Sequence, residues 1–360
     1  MNTIDAPEYF CRTDDTQLLL SMLQMDSTSG QERQLAEHLA LWMKTPSNQL
    51  MIQEVGNGTL NLYFTWGTPQ VVFCTHMDTV PPYIPPTIEP LPDGDLLIKG
   101  RGSCDAKGQI YALWKACHQL ESQGKTGFGL LILAGEETGS WGAKAFRSIG
   151  DCDESGQHFC ADYVIVAEPT DGKMVNASKG TKAFEISLPG KAFHSGYPEY
   201  GESAIDKFID FTNALRKIHF PDDEVLGNTT WNIGKLHSDN PQNILSDQVN
   251  FRLYFRTTPS SDSDINNTIT QLVDSFGGSC QCFGGDTPLT YTTLPGFKTG
   301  TVAFGSDAPQ LTNFRKKILC GAGSILCAHR PEEHVRLSQL HQAADNYVKM
   351  FQMLKHNPRI

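Results

Sequence analysis

Imidazole and carboxylate side chains recur in four short segments of the sequence and once more near its end. The candidate metal ligands among them are His76, Asp105, Glu137, Glu168 and His329. Catalytic zinc takes histidine nitrogens and carboxylate oxygens and leaves one position for water. Two metal ions about 3.5–4 Å apart need a carboxylate that bridges them and can share a hydroxide nucleophile. These residue types therefore predict a metal-dependent hydrolase.

Two further carboxylates stand beside the candidate ligands. Asp78 follows His76 by two positions on the same strand face and can reach the second imidazole nitrogen, which would fix the tautomer. Adjacent residues in extended chain point apart, so we do not expect both Glu136 and Glu137 to bind one metal. One should bind while the other shuttles a proton to and from the bound water. Taken alone, each segment also fits a surface pair or a turn, and the hypothesis depends on their conjunction.

Apolar periodicity predicts that these residues follow the strands of an α/β sheet. Apolar runs at 60–65, 70–75, 129–134 and 163–167 predict buried strands. Helical spacing occurs at 15–25, 31–42, 107–123, 141–148 and 338–354, and the run Ser29-Gly30-Gln31-Glu32 resembles a capping start for the second helix. Proteins with such sheets bind small molecules and ions beyond the carboxyl ends of the strands. In this sequence those positions are occupied by His76, Glu136, Glu137 and Glu168.

The pattern changes after residue 172. Alternating segments at 183–188, 229–233 and 249–256 predict half-exposed strands, and helical spacing occurs at 203–218 and 264–276. We therefore predict an α/β catalytic domain, with a mostly parallel central sheet flanked by helices, formed by residues 1–172 and 287–360. An inserted α+β domain would comprise residues 173–286.

Composition narrows the function classes. The net charge of -11 argues against a nucleic-acid partner. The longest apolar run, at 128–134, is too short to span a bilayer, and no signal peptide is visible. Ten cysteines without an export signal predict free thiols in a reducing cytoplasm. Cys280 and Cys282 could be a metal pair, although strand residues are the simpler interpretation.

Several segments, in order, resemble the co-catalytic zinc metallopeptidase family that includes acetylornithine deacetylase, succinyl-diaminopimelate desuccinylase, aminoacylase and glutamate carboxypeptidase. They are 75–81 (THMDTVP), 100–108 (GRGSCDAKG), 135–140 (GEETGS), 167–170 (AEPT), 190–198 (GKAFHSGYP) and 328–333 (AHRPEE). The resemblance implies that His76 and Glu168 hold one zinc, that Glu137 and His329 hold the other, and that Asp105 bridges them. Cobalt or manganese would also suit these ligands.

The resemblance also assigns roles to residues that bind no metal. Glu136 would be the general base, Asp78 would orient His76, and the peptide bond Asp105-Ala106 would be cis. The inserted domain would be a lid that forms a homodimer interface. Its His194 would stabilise the oxyanion in the partner subunit's active site, although a structural histidine at a strand end is the alternative.

Substrates of this family usually carry a free carboxylate beside the scissile amide. Arg256 and Asn243 match positions that bind this carboxylate, and Lys179 is a further candidate. The arginine fork suits the task because it pairs with both oxygens. Arg256 could instead be a surface residue on an edge strand. The proline-rich segment 82–90 lacks the tryptophan often found in relatives, which leaves its substrate contacts open.

The motifs around His76 and Asp105 favour an N-acyl amino acid deacylase similar to acetylornithine deacetylase, acting in cytoplasmic amino-acid biosynthesis. The alternative is a dipeptidase or carboxypeptidase that acts on a short peptide by the same chemistry. A non-enzymatic binding protein on a degenerate scaffold is disfavoured, because all five ligands and the base are present. A mononuclear metalloprotease would need His-Glu-x-x-His, which the sequence lacks.

Overall fold

Apolar runs of the sequence form the interior strands of a six-stranded sheet in the computed structural model, which describes residues 15–56, 58–152 and 156–356. The helices are α1 (Asp15–Leu23), α2 (Arg33–Trp42), α3 (Lys107–Ser122), α4 (Trp141–Phe146), α5 (Ala204–Leu215), α6 (Ile265–Ser275) and α7 (Leu337–His356). The strands are β1 (Gln49–Gly56), β2 (Thr59–Trp66), β3 (Val71–His76), β4 (Thr87–Pro90), β5 (Leu96–Lys99), β6 (Phe128–Leu133), β7 (Asp151–Cys152), β8 (His158–Phe159), β9 (Ala161–Val166), β10 (Met174–Ser178), β11 (Gly180–Pro189), β12 (Thr230–His237), β13 (Gln248–Thr257), β14 (Ser279–Cys282), β15 (Leu289–Thr290), β16 (Thr299–Val302), β17 (Phe314–Leu319) and β18 (His334–Arg336). Residues 1–14, for which we expected no signal peptide, lie outside the described residues.

The central sheet has the strand order β1-β2-β6-β3-β9-β17. Strands β6, β3, β9 and β17 pair in parallel, whereas β2 runs antiparallel to both of its neighbours. Every residue of β3 and β6 is buried, as expected for strands covered on both faces. The predicted α/β class with a mostly parallel sheet is confirmed.

The carboxyl ends of the parallel strands position the candidate site. His76 is the last residue of β3, Glu136 and Glu137 follow the end of β6, and Glu168 follows the end of β9. The segment that leaves β17 leads to His329. Because these strands are adjacent and parallel, the side chains that follow them meet at one edge of the sheet.

The chain divides into two compact units. Unit 1 comprises Met1–Asn176, Tyr291–Gly300 and Ser306–Ile360, and unit 2 comprises Ala177–Thr290 and Thr301–Gly305. In unit 1, helices α3 and α7 pack against each other, and the apolar core includes Phe73, Ile110, Phe128 and Tyr347. The smaller sheets have the orders β15-β10-β16, β18-β5-β4 and β7-β8.

Unit 2 contains a four-stranded antiparallel sheet with the order β12-β13-β11-β14. Alternate residues of β13 are buried, among them Phe251 and Phe255, and they pack with Phe211 of α5 and Ile269 of α6. Period-two burial on a sheet covered on one face explains the alternating sequence pattern.

The predicted capping start at residues 29–32 is wrong. Helix α2 begins at Arg33, and within the described chain its N-cap residue Glu32 makes no side-chain capping bond. Ser29 Oγ instead donates to Asp78 Oδ2 at 2.7 Å, and Glu32 Oε2 accepts the Gly30 N–H at 2.7 Å. A hydroxyl bound to a buried carboxylate makes a stronger, charge-assisted bond than a hydroxyl that caps a helix through a neutral backbone N–H.

The nine cysteines in the described part of the chain are all free, and Cys280 and Cys282 lie in strand β14. Among the helices described, none combines the length and the apolar character that crossing a bilayer requires.

Candidate metal centre

His76, Asp105 and Glu137 each offer one ligand atom, and these three atoms lie within 4.8 Å of one another. His76 is the last residue of strand β3, and Glu137 follows β6, which is the neighbour of β3 in the sheet. Asp105 precedes helix α3, and its peptide bond to Ala106 is cis, as the resemblance implied. Three segments distant in sequence thus bring a nitrogen and two carboxylate oxygens to one place.

The two oxygens of Asp105 face two different imidazoles. Oδ1 lies 3.0 Å from His76 Nε2, and Oδ2 lies 3.3 Å from His329 Nε2. Asp105 is 5% exposed, so neither oxygen relies on bulk water. A carboxylate that presents one oxygen to each of two ligand groups is the arrangement that a bridge between two metal ions requires.

Glu137 and Glu168 complete two ligand sets. Glu137 Oε1 lies 2.7 Å from His329 Nε2, and Glu168 Oε2 lies 4.0 Å from His76 Nε2. Glu168 Oε1 is buried and finds no hydrogen-bond partner among the described residues. Because buried carboxylate oxygens are normally satisfied, this oxygen fits a metal ligand. The donor set of two imidazoles and three carboxylates matches the preferences of zinc.

His329 has a backbone φ of 62°, in the left-handed region that residues with a side chain rarely adopt. A non-glycine residue held in this conformation costs free energy, and such residues cluster at functional sites. The conformation, together with its contacts to Asp105 and Glu137, is consistent with a functional role for this half-exposed histidine.

The charges of the site shift its pKa values. Burial opposes the charged form of His76, yet hydrogen bonds to Asp105 and Asp78 raise its pKa well above the usual value. Hydrogen bonds to Asp105 and Glu137 raise the pKa of His329 to about 10. Burial and neighbouring carboxylates raise the pKa of Glu168 well above its usual value. The metal-free site therefore holds protons on groups that metal ions would displace.

Asp78 joins His76 to the segment that carries the two glutamates. Its Oδ1 lies 3.3 Å from His76 Nδ1 and accepts the Glu136 N–H at 3.0 Å. Its Oδ2 accepts the Glu137 N–H at 3.1 Å and the Ser29 hydroxyl. One buried carboxylate thus fixes an imidazole and two backbone amides, which is how groups behind a metal ligand orient it.

Glu136 and Glu137 lie in a turn after β6, not in the extended chain from which we expected their side chains to point apart. Glu137 contacts His329, whereas the Glu136 side chain is partly buried nearby. Burial raises the pKa of Glu136 well above its usual value, and the charges of Asp307, Glu168 and Glu137 raise it further, against an opposing effect of His76. A carboxyl group with a raised pKa is a stronger proton acceptor than an ordinary carboxylate, as a general base requires.

Three residues of this region are not among the site residues that the sequence predicts. The sequence places Ser29 in a helix cap, and Asp307 has no acidic neighbour in its sequence segment, although it is 1% exposed and raises the pKa of Glu136 and Glu168. Glu333 is fully buried against the Asp105 turn, where its Oε1 accepts the Asp105 N–H at 3.1 Å. Their partners are far away along the chain, so local pattern could not reveal them.

Unit 2 contains the remaining candidates. His194 is exposed, its Nδ1 accepts the Gly196 N–H at 3.0 Å, and it pairs with Ile244 in an isolated antiparallel bridge. The Asn243 carbonyl accepts the Ser195 N–H at 2.9 Å, so Asn243 and His194 belong to neighbouring segments. The structure thus brings these two candidates to one end of the unit 2 sheet.

Arg256 and Lys179 lie at the other end of that sheet. Arg256 pairs with Thr181 near the start of β11, Lys179 immediately precedes β11, and His194 follows its last residue, Pro189. At about 3.3 Å per residue, Thr181, the partner of Arg256, and Pro189 are roughly 26 Å apart along β11. Strand β13 has neighbours on both sides, so the edge-strand alternative for Arg256 is wrong.

Lys179 and Arg256 also have contacts of their own. Lys179 Nζ donates to the Asn228 carbonyl, and burial lowers the pKa of this lysine. The guanidinium of Arg256 lies 5.1 Å from the centre of the Tyr254 ring, within the range of a cation–π contact. Within unit 2, Lys179 therefore has a backbone partner already, whereas Arg256 retains a guanidinium stacked near an aromatic ring.

Similar sequences identify the protein family to which the chain belongs. Residues 72–353 match the family model for peptidase family M20/M25/M40. A peptidase M20 domain-containing protein of Schizosaccharomyces pombe is 32% identical over 342 residues, covering 92% of this chain and 82% of that protein. A probable carboxypeptidase of Aspergillus fumigatus is 31% identical over 311 residues, covering 79% of this chain and 70% of that protein. The chain belongs to peptidase family M20/M25/M40 and is a metal-dependent hydrolase.

Solved structures share the fold. A tripeptidase from Staphylococcus aureus superposes with a TM-score of 0.74 at 20% identity, covering 94% of this chain and 97% of its own. An M20 family metallo-carboxypeptidase from Sulfolobus solfataricus gives a TM-score of 0.72 at 16% identity, covering 93% and 98%. These similarities confirm the predicted fold class, and at such identities they concern the fold alone.

Proposed function

We propose that this protein is a two-metal carboxypeptidase that releases the C-terminal residue of short peptides. The observation that carries the proposal is Asp105, whose two oxygens face His76 and His329 separately. Among the relatives, the Aspergillus fumigatus protein is named a probable carboxypeptidase and the Sulfolobus solfataricus structure a metallo-carboxypeptidase. These names support the peptidase alternative more than the N-acyl amino acid deacylase that the sequence motifs favour.

The donor set divides naturally into two sites. His76 and Glu168 would hold one ion, Glu137 and His329 the other, and Asp105 would serve both. Zinc suits these nitrogen and carboxylate ligands, and cobalt or manganese would be tolerated. When bound, the two ions would polarise the scissile carbonyl and lower the pKa of a water molecule.

The remaining chemistry belongs to side chains. Glu136 takes a proton from the attacking water and delivers it to the leaving amine, a double task for which its raised pKa is suited. Asp78 keeps His76 and the backbone of Glu136 in place while this proton moves. His194 is the candidate that donates a hydrogen bond to the oxyanion.

A carboxypeptidase must bind the free C-terminal carboxylate of its substrate. The planar fork of Arg256 can pair with both oxygens of that group, and the Asn243 amide can donate a further hydrogen bond. Within one copy of unit 2, however, Arg256 and the His194–Asn243 end are separated by roughly the stretch of β11 from Thr181 to Pro189, about 26 Å. One copy cannot present both ends to the same short peptide.

A homodimer removes this conflict. Arg256 of one subunit would act together with the partner subunit's His194 and the partner subunit's Asn243. Helix α5 offers an apolar contact surface, since Ile205 and Ile209 lie one turn apart and are 40% and 51% exposed. Light scattering should therefore show a dimer. An Ile209→Glu variant should be monomeric and inactive with its metal content retained, and a fully active monomer would contradict the arrangement.

The substrate assignment is tested by a panel of peptides on the purified, metal-loaded enzyme. Di- and tripeptides with free C-termini should release their last residue, and the same peptides amidated at the C-terminus should not, because the carboxylate is missing. N-acetylornithine and N-succinyl amino acids complete the panel. Turnover of N-acetylornithine in preference to every peptide would return the assignment to the deacylase. Failure to hydrolyse any of these amides would contradict the assignment as a hydrolase.

A further inference from the structure

A buried carboxylate holds the turn that carries Asp105. Glu333 is fully buried, and its Oε1 accepts three backbone N–H groups of that turn, from Gly102 at 3.0 Å, Cys104 at 3.1 Å and Asp105 at 3.1 Å. Three amides directed at one oxygen leave the backbone of the turn little freedom to rotate. The position of the Asp105 Cα is thereby tied to Glu333.

The second oxygen of Glu333 is bound by an arginine that is itself buried. Arg101 Nη1 lies 2.5 Å from Glu333 Oε2, and the Arg101 side chain is 2% exposed. The guanidinium also donates to the carbonyls of Pro82 and Arg330, each at 3.3 Å. A buried ion pair is tolerated only when its remaining hydrogen-bonding groups are satisfied, and this network satisfies them on both sides.

The same network connects two ligand-bearing segments. Arg330 follows His329 directly, and its carbonyl accepts both the Arg101 guanidinium and the Glu333 N–H, the latter at 3.2 Å. The Arg101–Glu333 pair therefore fixes the Asp105 turn against the backbone of the His329 segment. The relevant contact between the two ligands, Asp105 Oδ2 to His329 Nε2, is 3.3 Å.

We propose that Glu333, held by Arg101, is a positioning residue that sets the geometry of the Asp105 bridge and its distance from His329. The inference depends on the proposed two-metal site, since it concerns how that site keeps its spacing. Outer groups of this kind typically contribute 10–100-fold to metal affinity. Glu333 touches neither metal nor substrate, so its effect should appear first in metal binding.

The test replaces Glu333 by glutamine, which keeps the shape and one acceptor oxygen but removes the charge that Arg101 neutralises. Zinc affinity, measured by competition with a chelator, should fall about 10–100-fold, and the visible spectrum of the cobalt-loaded protein should change. A purely structural role would lower the melting temperature but leave both readouts of the folded protein unaltered. Wild-type zinc affinity and an unchanged cobalt spectrum in folded Glu333→Gln would overturn the proposal.

A matched control and a second variant keep the test decisive. Asp262→Asn removes a similar partly buried pair, in which Asp262 Oδ2 lies 3.2 Å from Lys182 Nζ in unit 2, and should leave zinc affinity unchanged. If Glu333→Gln does not fold, the double variant Arg101→Gln/Glu333→Gln removes the unpaired buried charge and should fold with the same loss of zinc affinity. Wild-type affinity in the double variant would overturn the proposal, and a wild-type protein that binds no metal would overturn the two-metal site as well.

Discussion

Replacing Asp78 by asparagine tests whether a buried carboxylate, rather than the ligands alone, sets up the site. Asparagine keeps one acceptor at Oδ1, so the Glu136 N–H and His76 Nδ1 retain a partner. Its amide group would then face the Glu137 N–H, which leaves two donors opposed. Loss of charge-assisted bonds at about 1.5–3 kcal/mol each, with one buried donor left unsatisfied, predicts roughly 3–5 kcal/mol lower stability of the metal-free protein.

The expected effect on metal binding is smaller and can be separated from stability. Zinc affinity should fall about 10–100-fold because His76 loses its charged partner. Chelator competition measures this, and urea unfolding of the metal-free protein measures stability. Ser29→Ala is the matched control: it removes one charge-assisted bond to the opposite oxygen of Asp78 and should cost about 1.5–3 kcal/mol without changing zinc affinity. Undiminished zinc affinity in Asp78→Asn would show that the Asp78 carboxylate does not set up the His76 ligand.

Four further predictions concern the general base Glu136, the proton on His329 and the role of His194. Glu136→Gln should lower turnover about 10²–10⁴-fold with metal content unchanged, and retained activity would remove Glu136 from its role. Hydrogen bonds to Asp105 and Glu137 raise the pKa of His329 to about 10, so apparent zinc affinity should rise with pH up to that value, with protons released in calorimetry; pH-independent binding would contradict this. Because folding raises the pKa of His329, its protonated imidazole stabilises the metal-free protein. This contribution is fully present below about pH 6.5 and should be lost towards pH 10, as thermal unfolding can show. His194→Ala should lower kcat about 10²–10³-fold with metal content unchanged, whereas an unchanged kcat would favour the structural alternative.

Much of the fold and the main residues of the metal centre could be predicted because their signals are local. Continuous apolar runs predict the buried strands β3, β6 and β9, and parallel strands direct His76, Glu137 and Glu168 to one edge of the sheet. The strand interpretation of Cys280 and Cys282 also needed only the local pattern.

Ser29 and Glu333, which support the ligand segments, could not be predicted because their partners are remote. Ser29 binds Asp78 across 49 positions, and Glu333 binds the Asp105 amide across 228 positions. A serine before a glutamate reads as a helix cap unless the fold brings a buried carboxylate to it. Likewise, the sequence around Arg256 does not indicate that β13 is an interior strand, because strand order depends on the fold of the whole unit.

The central claim is that Asp105 joins two metal ions into one hydrolytic centre. The most direct measurement follows metal content and release of the C-terminal residue of a short peptide together, while metal-free protein is titrated with zinc. Activity should rise to a maximum at two ions per chain, and Asp105→Asn should bind neither ion tightly and be inactive. Full activity in the metal-free protein, or wild-type zinc binding by Asp105→Asn, would contradict it.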